Sequence, residues 1–201
     1  MKNNKKEKSK FGYTFFKTIL GIVFKIYYRP KIINKQVIPK DGPIIVCGNH
    51  IHILDQCLPI ISTKRMLHYM AKKEYFDGKY AWFFKTTGCI SVNRQIHDSD
   101  AKNAALDVLN NGWALGIFPQ GTRKKTDEIL LPFKMGVVSM AQKTGATIVP
   151  YAITGKYKFY SGGLTATFLE PFKVGANDDL NEANEKLRNM IKEALEKSNR
   201  V

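Results

Sequence analysis

Short apolar runs alternate with longer segments of helical periodicity along most of the chain. The runs are rich in β-branched residues and predict strands, whereas apolar positions that recur every three or four residues predict helices. Strands are predicted at residues 44–47, 66–71, 89–92, 114–118, 147–153 and 164–169. Helices are predicted at residues 55–61, 75–86, 98–110, 135–143 and 179–198. This alternation favours an α/β domain with a mixed, largely parallel sheet flanked by helices.

A different pattern occupies the start of the chain. Five of the first ten residues are lysines, and apolar and aromatic side chains then dominate. Lys17 and Lys25 interrupt this run, and its longest uncharged piece, 18–24, is far shorter than the roughly 20 residues that a spanning helix needs. We therefore predict that residues 1–30 form a basic, amphipathic, membrane-associating helix, followed by a single domain at residues 31–201. The alternative is that the same helix packs on the core of the domain.

The overall charge narrows the classes of partner. Among 201 residues there are 32 Lys and Arg against 17 Asp and Glu, which gives a formal net charge of +15. Such a field attracts polyanions, namely nucleic acid, anionic lipid headgroups, phosphate-bearing substrates or an acidic carrier protein. The three cysteines form no C-x-x-C pair, which argues for reduced thiols and against a disulfide framework or a cysteine-bound zinc.

The first candidate site lies where the first buried strand ends. The run breaks at Gly48-Asn49 and is followed by His50 and, five positions later, by Asp55. On an unbroken helix, residues five apart point about 140° away from each other, so these two side chains would not meet. If His50 lies in the strand-to-helix turn and Asp55 in the first helical turn, the carboxylate can fold back onto the imidazole and make it a general base. The spacing also occurs by chance, where it means only a histidine in a turn and an aspartate that starts a helix.

Three further segments follow this turn. Two are strands that end in arginines beside glycines, a pattern suited to a phosphate because the guanidinium fork binds it with two hydrogen bonds. The third places Lys134 at a helix start, where the helix dipole also favours an anion. The segments are Gly88-Cys89-Ile90-Ser91-Val92-Asn93-Arg94, Gly116-Ile117-Phe118-Pro119-Gln120-Gly121-Thr122-Arg123 and Pro132-Phe133-Lys134-Met135-Gly136.

These pieces together resemble the glycerolipid acyltransferase family, most closely the bacterial 1-acylglycerol-3-phosphate acyltransferases. The resemblance consists of N-H-x4-D, G-x-I-x-V-x-R, F-P-x-G-T-R and V-P in this order, and it spans residues 43–153. It implies transfer of a fatty acyl group from acyl carrier protein or coenzyme A to the sn-2 hydroxyl of lysophosphatidic acid, giving phosphatidic acid, at the cytoplasmic face of the cell membrane. It implies no cofactor and no nucleic-acid partner.

The resemblance also implies roles for individual residues. His50 is the base and Asp55 its orienting partner. Arg94, Gly121, Thr122 and Arg123 belong to the site for the acceptor phosphate. We expect oxyanion donors from the turn around Gly121 or from the helix start after His50.

Three positions depart from the usual family pattern. Gln120 stands where the third motif normally has glutamate, and Asn93 stands where an acid often precedes the arginine of the second motif. Both changes remove a negative charge and keep an amide that can donate to phosphate oxygens, so we include Gln120 in the predicted phosphate site. Lys134 belongs to the same predicted site because of its position at a helix start. His52 stands where the family commonly has a small polar residue. A metal site that begins with His50, His52 and Asp55 is an alternative interpretation of this segment. Because no fourth ligand or supporting motif is nearby, we favour a site without metal.

Two other functions remain open from the sequence. One is a related acyltransferase that acts on another lysophospholipid or on glycerol-3-phosphate. The other is a basic module that binds anionic membranes or nucleic acid without catalysis. The pairing of His50 with Asp55 beside a phosphate pocket favours an enzyme, because a binding module has no need of a general base.

Overall fold

A single sheet with helices on both faces forms the described part of the chain. The computed structural model describes residues 10–93, 95–96, 98–123 and 128–199. Its strands are β1 (Lys31–Ile33), β2 (Ile44–Gly48), β3 (Leu67–Lys72), β4 (Ile90–Val92), β5 (Ala114–Ile117), β6 (Thr147–Thr154) and β7 (Thr165–Phe168). Its helices are α1 (Lys10–Tyr28), α2 (Cys57–Ser62), α3 (Glu74–Asp77), α4 (Ala81–Thr86), α5 (Ser99–Asn110), α6 (Gly136–Thr144) and α7 (Leu180–Asn199).

The sheet is mixed and largely parallel. The strand order is β1-β7-β6-β2-β5-β3-β4. Strands β6, β2, β5, β3 and β4 are parallel neighbours, and the only antiparallel pairing among the described strands joins β6 to β7. This arrangement confirms the predicted fold class. It also brings the carboxyl ends of five strands to one edge of the sheet, which is where ligands bind in open α/β sheets.

Strand β2 lies in the middle of this sheet and is buried on both faces. Ile45 and Cys47 pack into the core under α5, α6 and α7. Ile44 and Val46 point the other way, into a core that includes residues of α1 and α2. A strand covered on both faces needs apolar residues at every position, which explains its continuous apolar sequence.

Two features of the fold differ from the sequence prediction. The helix predicted at residues 75–86 is wrong as a single element, because α3 ends at Asp77, Gly78 is extended, and α4 begins only at Ala81. Strand β1 was missed because its three residues, between Pro30 and the turn at 34–37, are too few to show an alternating pattern.

Helix α1 begins at Lys10, so the lysine-rich residues 1–9 of the predicted segment lie outside the described part of the chain. One face of α1 packs on the domain, where Tyr13, Gly21 and Phe24 are buried. The other face exposes large apolar side chains. They are Phe11, Phe15, Ile19, Leu20, Ile22, Val23, Ile26 and Tyr27, which we call the exposed face of α1. None of the helices in the described residues is both long enough and apolar enough to cross a membrane.

Candidate active site

His50 and Asp55 form a hydrogen-bonded pair beyond the carboxyl end of β2. The Nδ1 atom of His50 lies 2.7 Å from Oδ2 of Asp55. The two side chains meet as the sequence predicted, although Asp55 lies in the turn that precedes α2 and not in the first turn of that helix. Because a carboxylate accepts, Nδ1 carries the proton, and Nε2 is left as the basic atom of the ring.

Asp55 is completely buried and accepts four hydrogen bonds. Its Oδ2 also accepts from the backbone N–H groups of Ile51, at 2.6 Å, and His52, at 2.8 Å. Its Oδ1 accepts from the hydroxyl of Tyr157 at 2.6 Å. With 0% of its surface exposed, the carboxylate has no water to replace a missing donor. These four donors therefore stabilise the anion and fix its orientation.

His50 is held on its other sides by Phe118 and Gln120. The imidazole stacks on the Phe118 ring, with centroids 4.0 Å apart and planes inclined by 9°. The backbone N–H of His50 donates to Oε1 of Gln120 at 2.7 Å. Gln120 follows β5, the neighbour of β2, so this bond ties the third motif to the first. The Nε2 atom of Gln120 is buried and has no partner among the described residues.

Asn49 fixes the start of the same turn. It is buried, its amide donates to the carbonyl of Ile153 at 3.0 Å, and its amide oxygen accepts from the Ile153 N–H at 2.7 Å. Gly48 lies against Tyr151, and a Cβ at this position would come within 2.6 Å of the Tyr151 carbonyl oxygen. The end of β2 is thus anchored to β6, and His50 leaves the sheet in a defined direction.

Two cavities meet beside His50. The first, of about 390 Å³, is lined by His50 and Arg123 as well as Met70 and Phe118. The second, of about 270 Å³, shares Met70 and Phe118 with the first and is lined by Gly121 and Lys134. The structure thus places the predicted base and two of the predicted phosphate-binding cations around adjoining cavities.

The remaining predicted phosphate-site residues have different environments. Gly121 has a φ of +69°, and the side chain of Lys134 crosses it so closely that an added Cβ would lie 3.0 Å from the Lys134 Cε. Thr122 and Arg123 are exposed, and Arg123 lines the first cavity. Arg94 lies outside the described residues. Gly121 therefore provides both the turn and the space for the lysine.

A third, apolar cavity adjoins the first. It has a volume of about 130 Å³ and lies between α1, α2 and α4. It shares Gln56, Tyr69, Phe83, Phe84 and Cys89 with the His50 cavity. An apolar chain can therefore enter between the helices while its polar end stays near His50.

Burial disfavours the three cysteines as nucleophiles. Burial, with the Asp55 charge as a smaller cause, raises the pKa of Cys57 to about 12. Burial also raises the pKa of Cys89 and of Cys47. All three thiols stay protonated near neutral pH, and a protonated thiol is a poor nucleophile.

The other expectations for this region concern metal and oxyanion donors. No group of three or more His, Cys, Asp or Glu residues that could hold a metal occurs in the described part of the chain. The His52 ring stacks on Tyr157 at 4.1 Å, and its Nδ1 accepts from the Leu54 N–H.

The backbone N–H groups that we expected as oxyanion donors already have partners. Those of Ile51 and His52 donate to Asp55, and that of Gly121 donates to the Phe118 carbonyl.

Sequence reasoning missed Tyr157 and the role of Phe118. Phe118 could have been found, because it begins the third motif directly after β5, which is the neighbour of β2 in a parallel sheet. Tyr157 offers no local signal, since it lies 102 residues from Asp55 and only the pairing of β6 with β2 brings it close.

His50, held by the buried carboxylate of Asp55 between a cavity lined by cations and an apolar cavity, has the geometry of a general base for transfer of a group to a bound hydroxyl. The comparisons agree with group transfer. The family model described as Acyltransferase matches residues 29–154. The chain therefore belongs to the acyltransferase family, and it is an O-acyltransferase.

Individual relatives support this assignment, and one solved structure shares the fold. The chain is 30% identical over 165 residues to the 1-acyl-sn-glycerol-3-phosphate acyltransferase of Bacillus subtilis (strain 168), a match that covers 79% of this chain and 81% of that protein. It is 27% identical over 210 residues to the enzyme of the same name from Saccharomyces cerevisiae, covering 91% of this chain and 63% of that protein. The fold is similar to that of the 1-acyl-sn-glycerophosphate (LPA) acyltransferase PlsC from Thermotoga maritima, with a TM-score of 0.75 and 22% identity over 93% of this chain and 78% of that chain.

Proposed function

We propose that this acyltransferase moves a fatty acyl group from an acyl thioester to the sn-2 hydroxyl of 1-acyl-sn-glycerol-3-phosphate and so forms phosphatidic acid. The observation that carries the proposal is the cavity that His50 shares with Arg123, with Lys134 in the adjoining cavity. A hydroxyl near a phosphate can bind there with its phosphate on the cations and its oxygen at the imidazole. The name of the Bacillus subtilis relative supports this acceptor.

The reaction follows from the state of the histidine. Nε2 of His50 takes the proton of the acceptor hydroxyl as that oxygen attacks the thioester carbonyl carbon. Asp55 keeps the proton on Nδ1 and stabilises the imidazolium that forms. When the tetrahedral intermediate collapses, the carbon–sulfur bond breaks, and the imidazolium proton passes to the departing thiolate. The products are the ester and a free thiol.

The acceptor phosphate is held by charge and by short turns. Arg123 and Lys134 supply the cations, and Arg94, Gln120, Gly121 and Thr122 complete the proposed set. Arginine binds phosphate with two parallel hydrogen bonds, and lysine binds it as a point charge. Because Gly121 carries no side chain, the Lys134 ammonium can lie close to the turn.

The acyl chain of the donor enters the apolar cavity under α1. That cavity adjoins the one with His50, so a chain buried there leaves its carbonyl carbon near the base. Burying methylene groups is favourable by about 0.8 kcal/mol each, which provides binding energy away from the reacting atoms. The donor is acyl carrier protein or coenzyme A, both of which are anionic and suit the net charge of +15.

The exposed face of α1 rests on the membrane that holds the acceptor. Val23 is 57% exposed and Ile26 65% exposed, and they belong to a continuous apolar face along the helix. Exposed apolar side chains that form one contiguous face on a protein surface mark an interaction site. Together with the positive charge, this face suits peripheral binding to the anionic cytoplasmic side of the cell membrane.

A panel of acceptors and donors tests the proposal. Purified protein is incubated with lysophosphatidic acid, glycerol-3-phosphate or lysophosphatidylethanolamine, each with acyl-carrier-protein and coenzyme A thioesters, and both thiol release and lipid product are followed. We expect phosphatidic acid from lysophosphatidic acid at a rate well above the other two acceptors. Faster transfer to glycerol-3-phosphate or to the ethanolamine lipid would show a different acceptor. Absence of transfer to all three would contradict the proposed reaction.

A further inference from the structure

The two oxygens of Asp55 have separate sets of donors. Oδ2 accepts from His50, Ile51 and His52, which all belong to the turn after β2. Oδ1 accepts from Tyr157, which belongs to the segment between β6 and β7. If these three were the only donors, the carboxylate could rotate about its Cβ–Cγ bond, and either of its oxygens could accept their hydrogen bonds. The hydroxyl on the opposite oxygen removes that freedom.

The ring of Tyr157 is itself held in place. It stacks on the His52 ring at 4.1 Å and contacts Tyr28 edge-on at 5.4 Å. The segment that carries it is tied to the end of α1, because the Tyr160 N–H donates to the Tyr27 carbonyl at 2.8 Å. The hydroxyl therefore reaches Asp55 from a ring that is held by contacts with both His52 and Tyr28, and a side chain held in this way can orient another.

We propose that Tyr157 is a positioning residue for acyl transfer: its hydroxyl fixes the rotation of the Asp55 carboxylate so that Oδ2 faces Nδ1 of His50. The proposal rests on the function proposed above, since it assigns Tyr157 to the same site. Tyr28, at the end of α1, contacts Tyr157, and Tyr157 donates to Asp55, so these contacts connect the end of α1 to His50.

Tyr157 remains a neutral donor in this role. Burial, followed by the nearby charge of Asp55 and the hydrogen bond to it, raises the pKa of Tyr157 well above its usual value. The hydroxyl thus keeps its proton throughout the pH range in which an acyltransferase works, and it does not act as a second base.

Removing only the hydroxyl tests the kinetic consequence. In Tyr157→Phe, Oδ1 of Asp55 is buried without a donor, and we expect kcat to fall by about 10- to 100-fold while KM for donor and acceptor changes less than about twofold. Tyr160→Phe, which removes a hydroxyl from the same segment at a residue that is 57% exposed, is the matched control and should keep the wild-type kcat. Tyr157→Leu also removes the stacked ring, and we expect the same loss of kcat together with a lower melting temperature. A kcat for Tyr157→Phe within about twofold of wild type would overturn the proposal.

A second measurement does not depend on the reaction. The Nδ1–H proton of a histidine bound to a carboxylate resonates far downfield in the NMR spectrum, and its position reports the strength of that hydrogen bond. We expect this resonance of His50 to move upfield and to exchange faster in Tyr157→Phe and to stay in place in Tyr160→Phe. An unchanged resonance in Tyr157→Phe would overturn the proposal. If the resonance moves but wild-type protein transfers no acyl group, the proposed function fails and the positioning of Asp55 by Tyr157 stands.

Discussion

At the residue scale, the site depends on the buried carboxylate of Asp55, which accepts four hydrogen bonds. Asp55 both keeps the proton on Nδ1 of His50 and closes the turn after β2 through the N–H groups of Ile51 and His52. The same side chain therefore supports the local structure and, in the proposed reaction, the base. Its substitution has two separable effects.

For Asp55→Asn, we expect kcat to fall by about 10³- to 10⁴-fold, because an amide cannot stabilise the imidazolium and can reverse the tautomer of His50. Steady-state kinetics at saturating donor and acceptor give this number. Thermal unfolding measured alongside separates the kinetic loss from a loss of folded protein. A variant that keeps more than a tenth of the wild-type kcat would show that acyl transfer does not need the Asp55 carboxylate to orient His50.

Gln120 gives a second prediction at this scale. Its Oε1 accepts from the His50 backbone N–H, and a carboxylate of the same length can do so equally well. We expect Gln120→Glu to keep kcat within about fivefold, whereas Gln120→Leu leaves a buried N–H without an acceptor and lowers kcat by about 10- to 100-fold. The comparison is made by initial rates. Equal rates for the two variants would mean that the hydrogen bond to His50 is not needed.

At the scale of elements, the sequence predicted the parts that rest on local pattern. β2 and β6 are apolar at nearly every position because both faces are covered, so their runs were visible. The candidate residues His50 and Gln120 follow β2 and β5, which are parallel neighbours, so their closeness follows from the fold class. The contact between Tyr157 and Asp55 could not be predicted, because it depends on a segment whose path no periodicity describes.

The sequence offered packing on the core and membrane contact as alternatives for helix α1, and the structure shows the packing, whereas the membrane contact is a proposal. Its buried face packs on the core, and its exposed face is available for a membrane. We expect Ile22→Ser combined with Ile26→Ser to weaken co-sedimentation with anionic vesicles while the melting temperature stays near that of wild type. Phe24→Ala, on the buried face, should instead lower the free energy of unfolding by about 3–5 kcal/mol. Unchanged vesicle binding in the double variant would place the membrane contact elsewhere.

Lys17 links α1 to α2 and makes stability depend on pH. Its ammonium group donates to the Thr63 carbonyl at the end of α2. Burial, with repulsion from Lys25 as a smaller cause, lowers the pKa of Lys17 to about 8. Between this value and its ordinary value near 10.5, the unfolded chain binds more protons than the folded one, so this residue makes stability rise with pH.

The comparison with Lys17→Met isolates this effect. We expect the denaturation midpoint of wild type, relative to that of the variant, to increase from pH 8 to pH 10, because other groups titrate alike in both proteins. Chemical denaturation at the two pH values measures it. A constant difference between the proteins would show that Lys17 keeps its ordinary pKa in the fold.

At the scale of the whole molecule, charge and apolar surface act together. In the proposed membrane binding, the net charge of +15 attracts anionic lipid over a distance that salt shortens, and the exposed face of α1 adds an attraction that salt does not weaken. We expect binding to anionic vesicles to fall as the salt concentration rises, and the weaker binding to neutral vesicles to change little. Co-sedimentation across a salt series measures both. Equal salt dependence for the two vesicle types would contradict the electrostatic part of the proposal.

The central claim is that His50 is the base of an acyl transfer, and the direct measurement is the transfer rate of His50→Ala with lysophosphatidic acid and an acyl thioester. Removing a positioned general base costs about 10²- to 10⁴-fold, so we expect phosphatidic acid formation and thiol release to fall together by at least that lower bound. Vesicle binding and melting temperature should remain near those of wild type. A variant that forms phosphatidic acid at close to the wild-type rate would contradict the account.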